Sequence, residues 1–375
     1  MNEKERFLNV CRFKPFDRLP LLPPLGVWEE TVRRWEKEGL ANYTIEFPGS
    51  LDGLTPMIDL YDFLGCDRFY EIGIYFGVCP AFEREVLEED DTFITYRNMD
   101  GIIMKGFKEQ FDSSMPEWVG YPVNSREDYK EFKKRLTLNY NERFPSDWKA
   151  KCKVWSQSKI PIRMWADWEG GFFAPLRQMM GLERTLTLYY DDPALVEEML
   201  DDRMNLIIEI LDAILKDVKF DYFMYFEDMA YKAGSLISPA MFKKFMTPRY
   251  KKVNDFLRSK GIDLIFLDSD GDITELIPLW LECGINGLIP FEVQSGMDVV
   301  KLRAEYGNDL IMIGGVDKRA LSKDKKAIDE EIRRVEPIFD KGGFIPWLDH
   351  LVPPDVSFEN FLYFYNRLDD VIHGR

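Results

Sequence analysis

Short, strongly apolar runs alternate along the chain with longer stretches in which apolar residues recur every third or fourth position. The first kind reads as buried strand and the second as amphipathic helix, so their order predicts repeated βα units on a parallel sheet. Eight runs fit the strand pattern, at 19–23, 68–72, 161–166, 220–226, 264–267, 287–290, 310–313 and 343–347. Eight parallel strands with helices between them close into a (β/α)8 TIM barrel of the α/β class, here expected as a single domain over residues 1–375.

The helices carry their own boundary signals. Residues 192–218 start with Asp192 as N-cap and Pro193 at the first helical position, then keep a helical apolar period. Residues 238–261 open on Ser238-Pro239 and stop at Gly261, and a short helix after Asp272 stops at Gly284. The spacing breaks between the second and third strands. Alternating residues at 77–107, with turns expected at 88–91 and at Asp100-Gly101, predict an inserted β-hairpin region, and a polar helical segment follows. This insertion, roughly 75–155, has too few apolar residues to build its own core.

Charge narrows the partners. With 49 Lys+Arg against 66 Asp+Glu the net charge is -17, which repels nucleic acid and anionic membrane. No run approaches the roughly 18 apolar residues of a membrane span, and the opening "MNEKERFLNVCRF" is charged, so a cytoplasmic protein is expected. The five cysteines, Cys11, Cys66, Cys79, Cys152 and Cys283, are scattered, which argues against a disulfide framework or a thiolate zinc knuckle. Of the two histidines, His373 sits near the C-terminus, leaving His350 for any imidazole chemistry.

In a parallel barrel, catalytic residues sit after the C-terminal ends of the strands. Those positions hold Gly26 and Trp28, Glu71, Asp167 and Glu169, Glu227 and Asp228, Asp268 and Asp270, Glu292, Asp317, then Asp349 and His350. Loop acids are common as helix caps, and Asp272 and Asp317 read that way. Carboxylates converging on one mouth must bind a divalent cation, share protons or grip a cationic ligand. His350, Asp268, Asp270, Glu227, Asp228 and Glu71 are the catalytic candidates. Asp268, Asp270 and His350 form an oxygen-rich metal set better suited to magnesium, manganese or iron than to thiolate-bound zinc. Trp28, Trp165, Asp167, Trp168, Lys232 and Glu292 are candidates for substrate contact. Each has a plainer alternative: core packing for Trp165, Trp168, Phe172 and Phe173, and a salt bridge for Lys232. Arg163 and Arg319 read as ion-pair partners, and Gly314-Gly315 as a weak phosphate signal.

Four long stretches together resemble one family. The opening "RFLNVCRFKPFDRLP", the stretch "YFEDMAYKAGSLISPAMFKKFMTPRY", the stretch "FLDSDGDITELIPLW" and the closing "DHLVPPDVSFEN" are similar to the uroporphyrinogen decarboxylase superfamily, which includes corrinoid-dependent methyltransferases. The resemblance implies a (β/α)8 barrel with its site at the C-terminal mouth. Decarboxylases of that family carry an arginine-rich loop after the first strand and an aspartate near the second; this chain has "PPLGVWEETVRRW" and Glu71 there. The methyltransferase branch has an H-x-C zinc pair where this chain has Asp268-Ser269-Asp270, and its third zinc cysteine has no counterpart.

Elimination of the decarboxylase arginines leaves methyl transfer as the expected reaction, between a small methylated compound and a corrinoid on a partner protein, with a divalent metal as a candidate cofactor. The alternative is decarboxylation of a tetrapyrrole or other carboxylated ligand, with His350 and Glu71 handling protons and no cofactor required. A third reading is a non-catalytic barrel that binds a planar or cationic ligand. A homodimer is compatible with all three.

Overall fold

The computed structural model describes residues 1–40, 64–108 and 115–375. Strands form where the apolar runs lie. β1 (Tyr70–Gly73), β6 (Ile162–Trp165), β7 (Tyr222–Phe226), β10 (Leu264–Asp268), β11 (Gly287–Ile289), β12 (Ile311–Val316) and β13 (Phe344–Leu348) pair in that order into one curled, parallel, seven-stranded sheet. Helices on its outer side cover a core that includes Ile207, Phe223, Leu267 and Phe361. The interior of the sheet is filled by a second cluster, among them Met224, Phe266, Ile313 and Ile345, with Phe7 and Val10 of the helix Glu3–Cys11 packed into it. That helix lies at the N-terminal ends of the strands, where Lys4 pairs with Asp221 and Arg12 with Asp263.

The first expected strand departs from the pattern. Residues 19–23 form no ladder, because Pro20, Pro23 and Pro24 have no N–H to donate. The segment still fills the gap between β1 and β13 by other means. Leu21 donates its N–H to the buried Asp67 carboxylate at 2.8 Å and accepts the Asp67 N–H at 2.7 Å. Trp347 on β13 donates its indole N–H to Pro23 O, and a single parallel bridge joins Val27 to Val352.

Between β1 and β6 stands a separate antiparallel sheet, β2 (Glu85–Glu89), β3 (Phe93–Arg97), β4 (Ile103–Phe107) and β5 (Glu117–Gly120), among the described residues. It has one strand more than the two expected turns define; the turn at Asp100-Gly101 is where the sequence puts it, while the first lies at 90–92, past Glu88 and Glu89, which belong to β2. The helices Arg126–Phe132 and Trp148–Trp155 follow. Residues 109–114 of this insertion lie outside the described residues. After β7 the chain makes the tight hairpin β8 (Ala230–Tyr231) and β9 (Gly234–Ser235). Helix caps follow the sequence signals: Asp192 accepts from Leu195 N–H at the start of Pro193–Leu215, and Ser238 accepts from Met241 N–H. Among the described residues no helix is long and apolar enough to cross a membrane.

Candidate functional site

Successive side chains of a strand point to opposite faces, and this alternation assembles the site. Glu71 on β1, Arg163 and Trp165 on β6, Met224 and Phe226 on β7, and Asp268 on β10 face inward and line a cavity of about 710 Å³ at the C-terminal end of the sheet. Their neighbours Ile72, Met164, Tyr225 and Leu267 point into the core under the helices. Loops add Trp28, Trp168, Asp228, Asp270 and His350 to the lining.

The same alternation separates two adjacent acids. Asp228 continues the inward set of Met224 and Phe226. Glu227 falls on the outward face, fully buried, where its carboxylate accepts N–H bonds from Phe172, Phe173 and Ala174 at 2.7, 2.7 and 3.1 Å, and the Tyr250 hydroxyl. It therefore caps the helix Phe173–Met180 instead of lining the cavity.

The aromatic wall is continuous. Trp165 and Trp168 meet edge to face with ring centroids 5.6 Å apart, and Trp168 meets Phe226 at 4.6 Å. Trp168 is largely exposed, whereas Phe172 and Phe173 belong to the core. Arg163 lies 4.6 Å from the Phe69 ring and pairs with Glu71 across the β1–β6 register, with its Nε 2.7 Å from Oε2.

Acids crowd the mouth. Asp270 donates its N–H to Asp228 Oδ1 at 3.3 Å, and His350 Nε2 lies 3.0 Å from Asp270 Oδ2. Glu292 Oε2 accepts from Gly271 N–H at 3.0 Å. Burial, with the charges of Asp270 and Asp228, pushes the buried Asp268 well above the usual carboxylate range, against the pull of Arg163. Burial also raises Asp228, helped by Asp270 and opposed by Arg177, whose guanidinium is 3.4 Å away. For His350, burial lowers the pKa, but the hydrogen bond and charge of Asp270 outweigh it and leave the imidazole above its ordinary value. Asp349 beneath it is buried, takes N–H bonds from Val293 and Lys318 at 2.9 and 3.0 Å, and is pushed by burial to about 6.

Asp270, Glu292 and His350 each bring one ligand atom within 4.8 Å of the others. Two carboxylates and an imidazole suit a hard or borderline divalent ion. Asp268 is not a member of this group; Glu292 takes the place the sequence reading gave it. Two further candidates lie away from the cavity. Asp167, in the left-handed region at φ 48°, accepts N–H bonds from Phe76 and Glu169, and burial raises it to about 7. Lys232 is exposed on the β8–β9 hairpin, 5.8 Å from the Tyr231 ring. Asp228 and Phe291, like Asp167, follow a strand with positive φ, a costly conformation that marks all three loops as constrained. Met224, Phe226, Leu25, Leu351 and Arg177 escape motif reading; strand alternation alone would have found the first two.

A family model described as uroporphyrinogen decarboxylase (URO-D) matches residues 170–371. This chain belongs to the uroporphyrinogen decarboxylase family. The match runs from the Gly170-Gly171 turn to the last helix, so it contains every acid of the mouth except Glu29 and Glu71. Among solved structures, a methyltransferase from Methanosarcina mazei shares the fold with a TM-score of 0.62 at 16% identity, covering 99% of each chain. A B12-independent methionine synthase from Shewanella sp. W3-18-1 overlaps more loosely, with a TM-score of 0.49 at 12% identity over 95% of each chain. No curated protein matches.

Proposed function

We propose that this member of the URO-D family moves a methyl group between a small methylated compound and a corrinoid carried by a partner protein. The charge of the cavity carries the reading. Its lining arginine, Arg163, is engaged by Glu71, while Asp228, Asp268 and Asp270 face the same space. A substrate bearing many carboxylates would meet repulsion there with no free guanidinium to offset it. A small methylated compound without carboxylates would instead pack against Trp165, Trp168 and Phe226. The fold shared with a methyltransferase is compatible with this reading.

Asp270, Glu292 and His350 would hold a divalent cation, which when bound supplies a Lewis acid at the mouth of the cavity. His350 Nε2 lies 3.0 Å from Asp270 Oδ2, which holds the two side chains together at the mouth. Asp349, through its two backbone bonds, fixes the loop that carries His350. Trp168 lines the mouth with much of its ring exposed.

The test is an absorbance assay of free cobalamin, methylated and reduced, with a panel of thiol acceptors and methylated donors. Methyl transfer that falls at least about tenfold in Asp270→Asn supports the proposal. Spectral silence together with conversion of uroporphyrinogen III to products with fewer carboxylates would establish the decarboxylase reading instead. Metal analysis runs alongside: a bound divalent ion should be lost in Asp270→Ala and Glu292→Ala and kept in Asp268→Ala.

A further inference from the structure

The acids that line the cavity pair off, with one exception. Glu29 at the rim pairs with Arg33 on its own helix. Glu71 pairs with Arg163, Asp228 with Arg177 at 3.4 Å, and Asp270 with His350 at 3.0 Å. Asp268 is the one left over. It is 8% exposed and lines the cavity at the end of β10; its backbone carbonyl accepts the Glu227 N–H, but its carboxylate meets no hydrogen-bond donor among the described residues. Among the described residues Arg163 is the cation whose charge reaches it, and both of Arg163's hydrogen bonds go to Glu71. A buried carboxyl without a partner either keeps its proton or pairs with a positive charge in the space it faces. Beside it, on the neighbouring β7 and β6 and the loop after β6, stands the edge-to-face array of Phe226, Trp165 and Trp168, whose π-faces attract a large and weakly hydrated cation.

We infer that the cavity takes a small organic monocation, a methylated ammonium or sulfonium compound, with Asp268 as its counter-charge and the Trp168 array as its wall. This deepens the methyl-transfer proposal and rests on it for the reaction. The step balances without a proton: the C–N or C–S bond breaks, its electron pair stays on the departing neutral amine or thioether, and the reduced corrinoid acceptor supplies the pair for the new bond to carbon. A positively charged leaving atom makes that carbon electrophilic. Positive charge is lost during the step, so Asp268 serves binding more than turnover, and its replacement should raise KM more than it lowers kcat.

The experiment is isothermal titration calorimetry on the full chain with choline, tetramethylammonium and 3,3-dimethylbutan-1-ol, the uncharged carbon isostere of choline. Choline should bind about tenfold or more tightly than its isostere. Asp268→Asn and Trp168→Leu should each weaken choline by about tenfold and leave the isostere nearly unchanged. Trp168 is 57% exposed, so its replacement tests the wall even where Asp268→Asn fails to fold. Absence of heat with both cations, equal binding of choline and the isostere, or choline affinity in Trp168→Leu equal to the parent's would each overturn the inference. The cobalamin assay separates this failure from that of the reaction: turnover of a neutral methyl donor without choline binding removes the cation and keeps methyl transfer. Choline binding without any methyl transfer does the reverse.

Discussion

Replacing Glu227 by alanine tests whether this acid, a catalytic candidate from its place after a strand, serves the fold instead. The substitution strips four buried donors of their acceptor: the amides of Phe172, Phe173 and Ala174 and the hydroxyl of Tyr250. A buried donor left unpaired costs about 1–3 kcal/mol, so even the low end gives about 4 kcal/mol. Losing a negative charge at the N-terminus of Phe173–Met180 adds about 0.5 kcal/mol. At about 1.3 °C per kcal/mol for a chain of this size, the Tm should fall by about 6 °C. Glu227→Gln keeps one acceptor oxygen but turns an amide N–H toward a backbone N–H, and should lie between the two. Thermal melting by circular dichroism, with choline titration of the folded protein at low temperature, provides both readouts. The expected pattern is a lowered Tm with cavity binding intact. A Tm within about 2 °C of the parent, combined with lost methyl transfer, would refute the capping role and return Glu227 to the chemistry.

Other substitutions probe the frame of the cavity. Arg163→Met leaves Glu71 unpaired at a site where its side chain is 25% exposed, so after allowance for solvent the cost should be about 2 kcal/mol in chemical denaturation. Glu71→Gln combined with it should recover more than half of that loss; an additive double variant would show that the pair is not coupled. Asp349 is pushed by burial to about 6 from an ordinary value near 3.8, so the folded state holds its proton more tightly than the unfolded chain. The stability this provides is present below pH about 4 and lost as pH rises toward about 6, so Asp349→Asn should flatten the fall of Tm across that window. Equal slopes for the two proteins would contradict it. Gly314 on β12 has φ +124°, and a Cβ there would lie 1.8 Å from Pro290 O, a backbone atom that cannot swing away. Gly314→Ala should lower the Tm by more than about 6 °C or abolish soluble expression, and a normal melt would count against the close approach.

Much of the frame was legible because its causes are local. Apolar runs became β6, β7, β10, β11 and β13 within a residue or two, and β12 with its end three residues further on at Val316, since a buried parallel strand needs a continuous apolar stretch and little else. Cap signals at Asp192 and Ser238 held for the same reason. The run at 19–23 misled, because hydrophobicity records burial while its prolines decide whether a ladder forms. The site was legible as a neighbourhood and less so in detail. Position after a strand brought Asp228, Asp268, Asp270 and His350 to one mouth. It could not separate Glu227 from Asp228; that required counting strand parity from Met224 and Phe226. Nor could it show Glu292 beside Asp270 and His350 in place of Asp268, because the reach of a loop side chain depends on turns that pairwise spacing does not encode.

The proline segment at 19–24 leaves the barrel with a seam. Every other junction of the sheet is sewn by repeating amide pairs whose pitch fixes the register, so a residue gained or lost there would slip a whole strand. Between β1 and β13 the closure is a set of separate ties: a carboxylate, an indole and a single bridge. Leu25, Gly26 and Trp28, at the end of this segment, form one wall of the cavity. This wall can therefore be re-cut by substitution, insertion or deletion without unpicking the rest of the barrel. It is the natural place for related chains to diverge in what they admit, and for an engineer to begin widening the mouth.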